Sequence, residues 1–370
     1  MLRRLLFGVF LILLLARLAP CQNPTTPTLS RAAERYLSNV LEILEKHALH
    51  AGEIDWNDLR ARTLTLASGA QSTSDTYPAI YYALTRLKES HSFLRPPDSL
   101  PEPEKQRAYA NIRSVLLSRQ DHAPRQTTSV FADRSVPAGH MIRVGDKSLA
   151  YIVVPRCWAK RSSLAANAQD FREYANALHG IAASLQDQNP LGWIVDLRGN
   201  GGGDMYPMVA GVGFVLGEGN LGYFDSGKTE SEWFYRDGKA GSVVGGADSI
   251  GATVTAPPLR LPHLPPVAVL VDSGTASSGE AVAISFIGRP STRLFGAHTF
   301  GLSTGNASYQ LPDGAVLVLC ESVEADRNHR RYPDGVEPDE VFAEPKERPE
   351  EQADSVLTAA TRWLLSTSIQ

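Results

Sequence analysis

Residues 148–196 predict a parallel β-sheet and restrict the fold more than any other part of the chain. The run "SLAYIVV" at 148–154 is typical of a buried strand, and "GWIVDL" predicts a second one that ends at Asp196. Between them, one apolar helix face is formed by Phe171, Tyr174, Leu178, Ile181 and Leu185. A strand–helix–strand unit joins two parallel strands by a right-handed crossover. The later runs "PPVAVLV", "TRLFGA", "ASYQL" and "AVLVLCESVE" extend the α/β pattern.

The rest of the chain divides into predicted parts around this core, which we place at 148–345. Helical spacing, as in "TYPAIYYALTRLKES", predicts a small helical N-terminal region over 22–95. Residues 96–147 are predicted to be a linker or irregular region, because "RPPDSLPEPEK" breaks the helical pattern. Within the core, 204–264 are predicted to be a glycine-rich insertion with strands. A C-terminal helix is predicted within 346–370.

The first 21 residues have the pattern of a secretory signal peptide. Two arginines precede an apolar run at 5–15, and small residues follow it. The run is shorter than the ~20 residues of a membrane span. We therefore predict an exported protein, periplasmic or extracellular, without a stable membrane span after signal removal. A short uncleaved anchor and lipidation of Cys21 are the alternatives.

Composition and motifs exclude several partner classes. Hydrophobic residues make up 43% of the 370, charged residues 21%, and the net charge is −4. The sequence has no basic stripe, so a nucleic-acid partner is not expected. No cysteine or histidine spacing matches a metal site, so no metal or other cofactor is expected. Cys157 and Cys320 form either a disulfide or two buried thiols.

The loop "RGNGGGD" at 198–204 follows the second core strand. Its glycines permit positive φ and close approach of the backbone to a ligand. A phosphate-binding P-loop needs a lysine that is absent here, and a dinucleotide fingerprint needs a glycine where Asp204 stands. What remains is an oxyanion hole, with backbone amides aimed at an attacked carbonyl, or a structural tight turn.

The segment "VDSGTASSGE" at 271–280 places serines where a buried strand turns into a helix. That position suits a nucleophile, and it equally suits an ordinary N-cap. A serine nucleophile needs a base, and histidine is the usual one. "ESHSF" offers His91 between Ser90 and Ser92, while His298 and His329 are competitors.

Together these segments resemble the tail-specific, or C-terminal-processing, serine peptidases, family S41. The resemblance rests on "VDLRGNGGG", on "VLVDSGTASSGEAVA" with "GRPSTRLFGAHTFGLSTGN" and "LPDGA", and on "GVEPD" at 335–339. It implies an α/β peptidase core, crotonase/ClpP-like, with a mixed sheet and helices. It also implies peptide or protein substrates. The implied nucleophile is Ser277, and the implied oxyanion hole uses the amides of Gly201 or Gly202 and of Ser278.

The chain departs from the pattern of the processing peptidases in two ways, and the first of these favours the tricorn-like branch of the family. The processing peptidases use a Ser-Lys dyad, but Leu302 stands at the position of the lysine. The tricorn-like branch uses a histidine base preceded by a serine, and His91 with Ser90 matches that pattern. The interval between Phe93 and Ser148 is also too short for the PDZ module that processing peptidases usually carry.

The acid that would orient the base is not fixed by the resemblance, because Tyr332 occupies the branch's glutamate position. The candidates are Asp326, Asp334 and Glu280, and Glu280 could instead pair with Arg198. Two other functions are kept open. One is a non-catalytic ligand-binding member of the same fold. The other is an α/β-hydrolase-type esterase that uses Ser277, Asp326 and His329.

Overall fold

The structure is a computed structural model that describes residues 28–107, 110, 129–158 and 164–367. The predicted signal peptide lies outside these residues. The helices used below are α1 (Arg31–His47), α2 (Trp56–Leu66), α3 (Tyr77–Leu84), α4 (Leu164–Gln186), α5 (Met205–Leu216), α6 (Ser278–Phe286) and α7 (Ser355–Thr367). The strands are β1 (Phe93–Arg95), β2 (Ala138–Val144), β3 (Lys147–Val153), β4 (Trp193–Asp196), β5 (Gly219–Asp225), β6 (Glu230–Arg236), β7 (Lys239–Val244), β8 (Ala247–Thr253), β9 (Val267–Val271), β10 (Thr292–Gly296), β11 (Thr304–Gln310), β12 (Val316–Asp326) and β13 (Glu340–Val341).

A mixed six-stranded sheet forms the centre of the molecule, in the order β13-β10-β9-β4-β3-β2. All neighbours are parallel except β2 and β3. Helix α4 connects β3 to β4, as the strand–helix–strand pattern predicted. The strands β4 and β9 are fully buried, because helices cover both faces of a parallel sheet.

A second, antiparallel sheet was not predicted. Its order is β1-β12-β5-β6-β7-β8, and β11 pairs with β12. The long strand β12 pairs with β11 along one edge, while β1 and β5 pair near its two ends. This sheet gives the N-terminal region a direct connection to the core.

Helices α4, α5 and α6 lie between the two sheets. One continuous apolar cluster contains Leu178 of α4, Val209 of α5, Ile284 of α6 and Trp233 of β6. Every residue of α6 is buried, including the polar residues Ser278, Glu280 and Ser285. Helix α7 covers the opposite face of the central sheet through residues such as Leu364.

The helical N-terminal region predicted from the sequence is confirmed. Ser30 caps α1 by accepting a hydrogen bond from the Ala33 amide, and α1 and α3 pack on β12 through an apolar cluster that includes Leu41 and Leu317. The region extends into β1, which follows α3. The first residues of this region, 22–27, lie outside the described part.

Two segments differ from the sequence-based predictions. Residues 204–264 contain the helix α5 in addition to the expected strands. This helix was not predicted, because its nearly unbroken apolar sequence, "MYPMVAGVGFVL", is buried on all sides and shows no amphipathic period. Within 96–147, an ordered strand, β2, pairs with β3 at the edge of the central sheet. No helix in the described ranges is both long and apolar enough to cross a membrane.

Candidate active site

The site lies at the carboxyl ends of β4 and β9, which are adjacent parallel strands. The glycine loop (residues 197–204) follows β4, and the serine turn (residues 272–277) follows β9. Three hydrogen bonds join them. The Ala276 amide donates to the Asn200 carbonyl at 2.9 Å, Thr275 Oγ1 donates to the Leu197 carbonyl at 3.0 Å, and the Gly199 amide donates to Asp272 Oδ1 at 2.8 Å. Open α/β sheets generally bind their ligands at this edge.

Ser277 ends the serine turn in a backbone conformation that is rare for a residue with a side chain. Its φ is 53° and its ψ is −123°, and α6 begins at the next residue. An ordinary N-cap residue has β-region dihedral angles instead. Such strained conformations cost on the order of 1–3 kcal/mol and cluster at functional sites. The Ser277 backbone therefore differs from that of an ordinary cap, although Glu280 accepts from the Ser277 amide as in a capping box.

Glu280 holds the serine turn in place. Its buried carboxylate accepts hydrogen bonds from the amides of Ser277, Gly301 and Leu302, each at 2.8 Å. It also accepts one from Thr299 Oγ1 at 2.6 Å. Burial raises the pKa of Glu280, and these hydrogen bonds oppose the rise. Since both oxygens are occupied, Glu280 fixes the turn and the segment that contains Leu302.

The pairing of Glu280 with Arg198 that the sequence suggested is wrong. Arg198 forms ion pairs with Asp196 and Asp354, each at 2.7 Å, and all three side chains are buried. Burial would raise the pKa of Asp196, but Arg198 and Arg134 together hold it well below its usual range. This network fixes the start of the glycine loop and connects it to the C-terminal helix.

Three backbone amides in the glycine loop and at the start of α6 have no hydrogen-bond partner among the described residues: those of Gly201, Gly203 and Ser278. Ser278 is the first residue of α6, where an amide has no partner within the helix and the helix dipole is positive. The Gly202 amide, also predicted as a donor, is already bonded to Asn200 Oδ1 at 3.0 Å. Of the three amides predicted as oxyanion donors, those of Gly201 and Ser278 are therefore available.

Gly202 lies directly against the serine. Its φ is +94°, and a Cβ added to it would lie 2.9 Å from Ser277 Cβ and 3.3 Å from Ser277 Oγ. The glycine loop therefore contacts the Ser277 side chain itself. A side chain at position 202 would displace that of Ser277 or the loop.

We expect Gly202→Ala to lower the activity at Ser277 by on the order of 100-fold, the effect of losing one well-placed donor, because the loop must move to relieve the overlap. The alanine Cβ would also lie 2.9 Å from the Ala276 carbonyl oxygen. Gly180→Ala, where nothing lies within 4 Å of the added Cβ, is the control and should retain wild-type activity. Wild-type kinetics in Gly202→Ala would contradict the placement of the loop against Ser277.

His91 is held beside the core by the antiparallel sheet. It lies just before β1, which pairs with β12, and the Cys320 amide of β12 donates to Ser92 Oγ at 2.8 Å. The His91 amide donates to Glu89 Oε2 at 2.5 Å. His91 Nδ1 lies 2.7 Å from Thr304 Oγ1. The ring is thus attached to the first residue of β11.

The segment before β11 connects the histidine to the serine turn. The Leu302 amide donates to Glu280, which also binds the Ser277 amide, and Thr304 binds the His91 ring two residues later. The Phe300 amide donates to the Thr275 carbonyl at 2.8 Å. His91 is therefore bound, through Thr304, to the segment that contains Leu302.

The environment of His91 keeps its imidazole neutral. Burial lowers the pKa of the ring to about 4. Among the described residues, none of the three candidate acids makes a hydrogen bond or ion pair with it. Asp326 accepts from the Tyr332 hydroxyl at 2.8 Å, and Asp334 is exposed. Ser90 is also exposed.

The residues of the alternative esterase triad are not assembled. His329 Nδ1 lies 3.0 Å from Glu230 Oε2, and its ring stacks on Tyr223. The Asp326 carboxylate makes its bonds to Tyr332 and to backbone amides of its own turn. Cys157 and Cys320 are both buried and free, so they do not form a disulfide.

Two buried acids near the site escaped the sequence analysis. Asp272 Oδ1 binds the amides of Gly199 and Gly274 at 2.8 and 3.0 Å and so fixes both loops. Glu324 is buried in β12, and its Oε2 has no hydrogen-bond partner within the described residues. Burial and the neighbouring Glu280 carboxylate raise the pKa of Glu324 well above its usual value. A charged residue inside the apolar run of β12 was the available signal.

A cavity of about 650 Å³ adjoins the glycine loop at Asp204. Its walls include Phe171 of α4 and Ile250 of β8. Burial raises the pKa of Asp204 to about 6. Volumes of this size are typical of ligand pockets.

Comparison with protein families gives one match that covers most of the core. Residues 148–342 match the model described as peptidase family S41. The nisin-resistance protein of Lactococcus lactis subsp. lactis is 25% identical over 300 residues, which are 81% of this chain and 80% of that protein. A carboxyl-terminal-processing protease of Synechocystis sp. is 29% identical over 189 residues, 51% of this chain and 38% of that protein.

Solved structures show the same fold. A lipoprotein from Streptococcus agalactiae superposes with a TM-score of 0.61 at 22% identity, covering 92% of this chain and 98% of that one. The photosystem II D1 C-terminal processing protease superposes with a TM-score of 0.56 at 15% identity, covering 90% and 100% of the two chains. The predicted α/β peptidase fold is confirmed.

Proposed function

The chain belongs to peptidase family S41 and is a serine-type peptidase, and on this premise we propose that Ser277 is its nucleophile and His91 its general base. The observation that carries the proposal is the strained backbone of Ser277 at the carboxyl end of a parallel strand. The free amides of Gly201 and Ser278 supply the second half of the site.

The proposed reaction proceeds through an acyl-enzyme. Ser277 Oγ attacks the peptide carbonyl while His91 takes the hydroxyl proton, and the amides of Gly201 and Ser278 bind the oxyanion. His91 then protonates the leaving amine. A water molecule, deprotonated by His91, attacks the ester, and His91 returns this proton to Ser277 Oγ as the ester bond breaks and the new carboxyl end leaves.

The leucine at position 302 supports this assignment of the base. A leucine side chain cannot accept a proton, and the sequence has no lysine between Ser277 and Lys346. The segment around Leu302 is bonded to Glu280 beside the serine turn and reaches Thr304 two residues later, so the His91 ring is held by the same segment as Leu302, and we assign the proton transfer to it.

We also propose that the protein is exported and cleaves peptides or proteins outside the cytoplasm. The support is the charged and apolar pattern of residues 1–21. The cavity beside Asp204 offers room for substrate side chains next to the glycine loop.

Labelling with a fluorophosphonate probe tests the proposal. The folded protein should gain one phosphonyl group, and fragmentation mass spectrometry should place it on Ser277. Heat-denatured protein should not react, because activation of the hydroxyl depends on the assembled site. A folded protein that stays unlabelled, or one that is labelled at another serine, would contradict the assignment.

A further inference from the structure

We propose that Thr304 is a positioning residue that holds His91 as the tautomer with hydrogen on Nδ1, which leaves Nε2 as the proton acceptor. The inference rests on the proposed role of His91 as base. It assigns to a hydroxyl the function that a carboxylate performs in a Ser-His-Asp triad.

The first support is the contact itself. Thr304 Oγ1 lies 2.7 Å from His91 Nδ1, a short hydrogen bond. Thr304 opens β11, whose pairing with β12 fixes its backbone opposite Val323. The β1–β12 pairing fixes the backbone beside His91 in the same sheet. Strand pairing therefore fixes the backbone at or next to both residues, so the contact between Thr304 and His91 has a fixed geometry.

The second support is the charge environment of the ring. Among the described residues no carboxylate forms an ion pair with His91, so a neutral hydroxyl is its side-chain partner. The nearest acids serve other groups or remain unpaired. Glu89 binds the His91 backbone amide, and Glu324 Oε2 has no partner. A neutral imidazole carries one hydrogen, and its position decides which nitrogen can act as base.

The third support is the arrangement of the two ring nitrogens. Nδ1 is occupied by Thr304 Oγ1, so Nε2 is the nitrogen left to take a proton. A nitrogen that accepts a proton cannot already carry one, and the hydrogen of the neutral ring therefore belongs on Nδ1, where it is donated to Thr304 Oγ1.

A hydroxyl partner has a chemical consequence. It fixes the tautomer as a carboxylate would, but it adds no negative charge to stabilise the imidazolium. The base therefore stays weak, in keeping with the low pKa of the buried ring.

Nitrogen-15 NMR of the imidazole tests the tautomer directly, with His91→Gln to identify the signals. In the wild-type protein Nδ1 should have the shift of a protonated, pyrrole-type nitrogen and Nε2 that of a pyridine-type nitrogen. Thr304→Val keeps the shape and removes the hydroxyl, so the hydrogen should move to Nε2. Thr304→Ser keeps the hydroxyl and should keep the wild-type tautomer. A wild-type ring protonated on Nε2 overturns the inference.

The rate of fluorophosphonate labelling gives a second measurement. We expect Thr304→Val to label about 10- to 100-fold more slowly, since general-base catalysis requires the correct tautomer. Thr304→Ser should recover most of the rate. Ser308→Val, exposed on the same strand, is the matched control and should label normally. Glu324→Gln should also label normally. A loss of labelling rate in this variant equal to that of Thr304→Val would instead assign the positioning of His91 to Glu324.

The two measurements separate failure of this inference from failure of the proposed function. If the wild-type protein does not label, Ser277 and His91 are not a catalytic pair, while the NMR experiment still decides the tautomer. If the wild type labels and Thr304→Val labels equally fast with an unchanged tautomer, only the role of Thr304 is refuted.

Discussion

Ser277→Ala is expected to abolish peptide hydrolysis, with a loss of at least about 10⁴-fold, because a serine peptidase without its nucleophile retains only the contribution of its oxyanion hole and binding. Fluorophosphonate labelling should disappear completely. The measurement is the initial rate of cleavage of a peptide library, compared with Ser273→Ala. Ser273 lies in the same turn, and its hydroxyl bonds to Glu344, so its loss should leave the rate near that of the wild type.

Ser277→Gly provides an independent check of the strained conformation. Glycine adopts positive φ without penalty, so this variant should be as inactive as Ser277→Ala yet more stable, by about 1 kcal/mol. Thermal unfolding of the two inactive variants measures the difference. Equal or lower stability of Ser277→Gly would show that the turn is relaxed in solution, and the structural argument for a nucleophile would lose its main support.

His91→Gln is expected to slow labelling and hydrolysis by about 10²- to 10⁴-fold, since glutamine can occupy the site but cannot take a proton. His140→Gln is the matched control, because His140 is an exposed residue of β2. A variant that retains full activity would transfer the role of base to another group.

The pH dependence of the wild-type enzyme follows from the depressed pKa of His91. The base works only when it is neutral, and burial brings its pKa down to about 4. The labelling rate should therefore stay constant from neutral pH to about pH 5 and fall only as the pH passes through 4, whereas an ordinary histidine would lose half its activity near pH 6.5. Three other titratable side chains lie around the segment that holds His91: Glu89, Cys320 and Glu324. Repeating the profile in Glu324→Gln separates the titration of His91 from that of the buried acid.

The sequence predicted the strands of the central sheet well, because β3, β4, β9 and β10 are short apolar runs whose residues are buried on both faces. It also predicted the α1 helix, whose apolar positions recur at helical spacing, and it identified both loops at the sheet edge. Each of these features depends on residues that are close together in the sequence, so a local pattern is enough to predict it.

Other features had no local signal. The α5 helix is apolar on all sides, so its sequence shows no helical period. The strands β5 to β8 pair in sequence order, but they join the rest of the second sheet through the pairing of β5 with β12, which lies far along the chain. The ion pairs of Arg198 were misassigned because Asp354, one of its partners, lies 156 residues away.

The sequence by itself determined the family and the α/β architecture and singled out Ser277 as the candidate nucleophile, since these depend on the order of short motifs. Only the tertiary structure decided what surrounds them: that Glu280 anchors the serine turn, that the Gly202 amide is already engaged, and that Thr304 is the partner of His91. The physical reason is distance along the chain. His91 and Thr304 are 213 positions apart, and a contact of that kind exists only after β1 and β11 have both paired with β12.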